Sequence, residues 1–146
     1  MGIRKIIFRG KRIDNGEWIY GWYAPLVCND KTIIPCIRNK NGTDKEVIPE
    51  TIGQFTGLTD KNGKKIFEGD IIRLTPPKES GEIYIPTPRN PQEDRILKVI
   101  FFDGMFAVDM SKWFKYGHGK VALQTYETNR IEIIGNIYDN PELLGE

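Results

Sequence analysis

Along this chain the hydrophobic positions follow a period of two, and β-branched and aromatic residues fill them; stretches with a helical repeat are almost absent. The pattern predicts strands over 3–9, 17–23, 31–38, 45–48, 53–57, 65–67, 70–75, 82–86, 95–102, 105–109 and 131–137. Between them lie turn signals at Asn15-Gly16, Asn29-Asp30, Asn41-Gly42, Asn62-Gly63 and Asp103-Gly104. Such pairs tolerate the positive φ that tight hairpins need. Helical turns are predicted at 111–116 and near Pro49–Ile52. A third follows Asn140, with Asn140 as N-cap and Pro141 at the first helical position. The stretch 75–94 holds five of the nine prolines and reads as a long loop, because proline cannot donate to a sheet ladder.

These elements predict an all-β fold, mainly β with short helical turns: a barrel-like set of antiparallel strands forming a single domain over 1–146. A chain of 146 residues that is 39% hydrophobic can fill such a core without staples. The C-terminal NPELL is expected to dock Leu143 and Leu144 on it as a short lid.

Charge gives no global reason to seek a polyanion or a membrane, since 21 basic residues face 20 acidic ones. No apolar run approaches the ~20 residues of a membrane span. The start MGIRKIIFRGKR has too short an apolar stretch for a secretory signal. The expectation is a cytoplasmic protein. The two cysteines, Cys28 and Cys36, read as reduced, half-buried thiols rather than a disulfide framework.

The stretch GLTDKNGKKIFEGDII, 57–72, resembles a ligand loop at first sight. A Walker loop needs four residues between its glycines and then Lys-Ser/Thr; here five separate Gly57 from Gly63, and Lys65 stands where the hydroxyl belongs. An EF-hand starting at Asp60 would carry Lys64 at its fifth position, glycine two places early and Ile71 at the twelfth. A hairpin turning at Asp60–Gly63 remains, followed by a bend at Gly69 and a new strand whose Asp70 caps backbone amides.

This segment, from Ile52 to Ile71, closely resembles the central signature of the YopX family, small proteins encoded by bacteriophages and prophages. The tail IIGNIYDNPELL, 133–144, resembles that family's C-terminal signature, and RKIIFRGKRIDNGEWIYG resembles its N-terminal block. The resemblance implies a mostly β, barrel-like fold and a phage or prophage origin. It implies no reaction and no catalytic residues.

Candidate chemistry is sparse. His118 is the only histidine, and Ser80 and Ser111 are the only serines; neither serine sits in a nucleophile elbow. No zinc spacing links Cys28, Cys36 and His118. Glu68 with Asp70 and Asp139 with Glu142 read as turn and cap chemistry. No enzyme, cofactor or metal is therefore expected. In EWIYGWY, Trp18, Tyr20 and Trp22 alternate onto one face, Ile19 and Tyr23 take the other, and Lys11 and Arg12 lie just upstream. Core is the commonest fate of such a face in a small barrel. If exposed, Trp18, Tyr20, Trp22, Lys11 and Arg12 form the candidate binding site. They would serve as an anchor patch for a host or phage protein, or as a stacking platform for single-stranded nucleic acid. Protein is the favoured partner. Exposed edge strands would also allow a homo-oligomer.

Overall fold

The computed structural model describes residues 3–76, 94–113 and 117–145; the strand predicted at 82–86 and nearly all of the proline-rich stretch lie outside them. Among the described residues the protein is mostly β, and no helix reaches seven residues. The chain divides into two compact units, Met1–Gly57 and Leu58–Glu146.

In the first unit, strands β1 (Phe8–Lys11), β2 (Trp18–Tyr23), β5 (Cys36–Arg38), β6 (Asp44–Glu46) and the start of β7 (Gly53–Thr59) pair antiparallel in the order β6-β5-β2-β1-β7. A separate hairpin joins β3 (Leu26–Val27) to β4 (Ile33–Ile34). The single strand expected over 31–38 is broken because Pro35 interrupts it; its carbonyl instead accepts from Val47 N–H at 3.0 Å. Ile19, Ile37 and Val47 form the unit's core, with Phe8 and Ile52 packed against them. Pro49–Thr51 makes the expected 3-10 turn. Cys36 is buried and Cys28 exposed, so the two thiols are not alike.

In the second unit, β9 (Asp70–Leu74) lies between β10 (Arg95–Phe102) and β13 (Ile131–Asn136); β11 (Met105–Asp109) and β12 (Lys120–Ala122) complete the order β12-β11-β10-β9-β13. Its core gathers Ile66, Ile72, Leu74, Leu97, Val99, Val108, Met110, Leu123 and Ile131. Strand β12 escapes the sequence pattern because it is a short Lys-Val-Ala between glycines and a turn. The sheets are antiparallel, as expected, but they do not close into a barrel. Strand β6, Asp-Lys-Glu, at the end of its sheet among the described residues, is blunted by charge.

The hairpin at 57–72 is held by carboxylates. After β7 the chain turns at Asp60–Gly63 and returns as β8 (Lys65–Phe67). Asp60 is buried, and its Oδ1 accepts from Asn62 and Lys64 N–H at 2.9 and 3.0 Å. Its Oδ2 accepts from Ile133 N–H at 3.0 Å, which ties the turn to β13. Asp70 Oδ2 accepts from Phe67 N–H at 2.8 Å across the bend at Gly69. The C-terminal signature is built the same way. Asn136 Oδ1 accepts from Tyr138 and Asp139 N–H, and Asn140 Oδ1 accepts from Asn136 N–H. Asn140 thus bonds backwards and makes no side-chain cap on the turn Pro141–Leu144. Leu143 stays exposed and Leu144 is half-buried, so the expected two-leucine lid is at most one leucine deep.

Burial pushes the Asp60 carboxyl up, but donation from Ile133, Lys64 and Asn62 N–H, with the Lys64 charge, outweighs it and holds the group below its ordinary range. Asp60→Ala strands these donors and is expected to cost about 3 kcal/mol in urea unfolding. A carboxyl depressed in the folded state stabilises above its unfolded pKa of about 3.9. The gap between wild type and Asp60→Ala should therefore be full near neutrality and shrink as the pH falls through and below that value. A gap independent of pH would count against the carboxylate as its source.

Candidate functional site

The binding-site candidate rests on the alternation of β2. Directly paired residues of antiparallel strands share a face. On β1 and β2 the pair Gly10–Ile19 turns to the core, and Arg9–Tyr20 and Lys11–Trp18 turn to the other face, where Arg9 is itself buried. Ile19 is buried at 7% exposure, while Tyr20 and Trp22 are 48% and 58% exposed and Trp18 is half-buried. The aromatic face is therefore not core, the commonest fate for it. The inner side of β2 is already filled by Ile19 against Ile37 and Val47. Tyr23 falls on the Ile19 side, at the sheet margin, with its ring centroid 6.3 Å from that of Phe8.

Cations interleave with these rings. The Arg9 guanidinium lies 4.7 Å from the Trp18 ring centre and the Lys11 ammonium 5.9 Å. Trp22 pairs across to Arg38, whose guanidinium makes a two-point bond with Asp44 at 2.7 and 3.0 Å. That bond draws the Asp44 carboxyl below its ordinary range. Beside the ladder runs a shallow groove of about 500 Å³, walled by Ile7, Trp18, Tyr20 and Trp22 and by Lys40 and Asn41 of the turn after β5. Arg12 does not join this face. It alternates to the Gly10 side, and its guanidinium is bound to Asp14 at 2.7 and 2.9 Å. Trp18, Tyr20, Trp22 and Lys11 are thus brought together, and Arg12 is set apart.

With the geometry in hand, comparison with known proteins is informative. The family described as YopX protein matches residues 7–145. The chain belongs to the YopX family. A Bacillus subtilis (strain 168) relative, the SPbeta prophage-derived uncharacterized protein YopX, is 28% identical, covering 91% of this chain and 93% of its own. The crystal structure of protein EF1440 from Enterococcus faecalis is similar at 26% identity and a TM-score of 0.53, covering 96% of this chain and 98% of that one. The crystal structure of Bacillus subtilis YopX shares the fold at 20% identity and a TM-score of 0.50, over 94% and 95% of the two chains.

Other YopX-chain candidates take structural or plain surface roles. His118 is exposed; its Nδ1 accepts from Lys120 N–H at 2.9 Å, and its ring lies 5.0 Å from Phe102. Ser111 Oγ donates to Asp109 Oδ1 at 2.6 Å. Burial raises the Asp109 carboxyl, but Ser111's donors and the charges of Lys120 and Lys98 bring it below its ordinary range. Among the described residues no helix is long and apolar enough to cross a membrane. The basic cluster Arg9, Lys11 and Arg12 is visible in the sequence, and parity puts Arg9 on the same face as Lys11. The sequence reading missed Lys40, because its place depends on the β2–β5 register.

Ile19→Ala is expected to cost about 3 kcal/mol in urea unfolding, and Trp22→Ala less than about 0.5 kcal/mol. Equal losses from the two would mean that Trp22 is packed as core.

Proposed function

We propose that this YopX-family chain is a phage- or prophage-encoded accessory protein that works by binding rather than by catalysis. It holds a host or phage macromolecule on the outer face of β2. One observation carries the reading: three aromatic side chains lie on a single sheet face, two of them about half exposed or more, interleaved with cations from the neighbouring strand. Exposed aromatics clustered beside charge are what binding hot spots are made of. The prophage-derived relative supports the phage origin. Asp60 and Asp70 are engaged with backbone amides, and Asp139 with the Asn136 side chain, which supports a non-catalytic role.

The test is capture from bacterial host lysate by wild type and by Tyr20→Ala/Trp22→Ala, with and without nuclease. Both substitutions sit on the open face, so the thermal midpoint should stay unchanged. A macromolecule retained by wild type and lost by the double variant is the expected outcome. Identical capture by the two proteins would remove the β2 face as the site.

A further inference from the structure

We propose that the groove beside β2 takes single-stranded nucleic acid, an assignment of occupant that rests on the binding-face reading above. Two observations point to it.

The first is spacing. Alternate residues of a strand lie about 6.8 Å apart. That is twice the ~3.4 Å thickness of one stacked base. Trp18, Tyr20 and Trp22 stand at this interval along β2, a backbone spacing that matches one base between neighbouring residues of the row. Stacking on such a ladder needs no particular sequence, because every base has a π-face. The buried Arg9 guanidinium lies 4.7 Å from the centre of the Trp18 ring.

The second is charge. Among the described residues the groove wall holds Lys40 with Asn39 and Asn41, and no carboxylate. Asp44, across the sheet from Arg38, is bound to that guanidinium at both oxygens. Lys11 and the buried Arg9 add positive charge close to Trp18. A protein partner would be met by an interface core depleted of charge. Here one cation, Lys40, and the amides Asn39 and Asn41 line the same trough as the aromatics, an arrangement suited to a polyanion whose bases stack while its phosphates meet Lys40. The near-neutral chain as a whole makes binding local to this face.

The experiment is fluorescence anisotropy of end-labelled oligodeoxythymidine and oligouridine titrated with the full-length chain over a range of salt. Binding is expected at low salt, with log affinity falling by about 0.7 per log unit of salt for each phosphate engaged. Trp22→Ala is expected to weaken binding by about five- to a hundredfold. Lys40→Ala should lower the salt slope by about 0.7, the value of one phosphate. Similar affinity for the two oligomers would mark recognition through bases and phosphates; a strong preference for one would add sugar recognition to the same site. No binding at low salt would overturn the proposal, as would binding that both substitutions leave unchanged. If lysate capture depends on Tyr20 and Trp22 yet survives nuclease, the occupant is a protein: this proposal fails while the binding face stands. If capture ignores those residues as well, both fail together.

Discussion

A Cβ atom on Gly21 would sit 1.8 Å from the Arg38 carbonyl oxygen. No side chain fits there, so β5 lies directly against the backbone of β2. Two residues away Ile19 fills the remaining inner space with Ile37 and Val47. On β1, a Cβ at Gly10 would lie 3.0 Å from the Val47 side chain, so that position too leaves little room. The inward side of β2 thus accepts one isoleucine and one glycine in its middle. A one-residue slip of register would drive an indole into this space. The aromatics must therefore face outward, and the same close approach of β5 brings Asn39, Lys40 and Asn41 to the edge of their row. Core packing and the candidate site are two consequences of one steric arrangement.

The parts of the sequence that resemble the YopX family most strongly do different work. Asp60 satisfies backbone amides at both ends of its hairpin and on β13, and Asp70 does the same for the following bend. Asn136 and Asn140 knit the C-terminal turn. Buried amides without partners are costly, which gives these short polar side chains a sufficient structural role. The central and C-terminal motifs are accordingly architectural. The candidate site lies in the N-terminal block, where large aromatics are spent on an exposed face that the core does not need.

Much of the fold was legible because period-two patterning and Asn-Gly or Asp-Gly turns are local signals. Strands β8 to β11 begin and end within a residue of their predicted bounds. Two features were not legible: β12 has too few residues to show a period, and Asn140 turns back to Asn136 instead of capping the turn it precedes. The shared face of Trp18, Tyr20 and Trp22 followed from alternation. Whether it was core or surface did not, because aromatic residues suit either side of a half-buried strand. Only the close approach of β5 decides it. Arg12 was misplaced for a related reason: nearness in sequence to Lys11 puts it on the opposite face of β1, where Asp14 holds it.

The most direct measurement is a map of backbone amide chemical shifts of the full-length chain titrated with a short oligodeoxythymidine at low salt. Shifts concentrated at residues 18–22 and 39–41, saturating with added strand, are the expected result. Shifts scattered over the lysines of the surface, or gathered away from β2 and the turn beside it, would contradict the aromatic groove as the binding site.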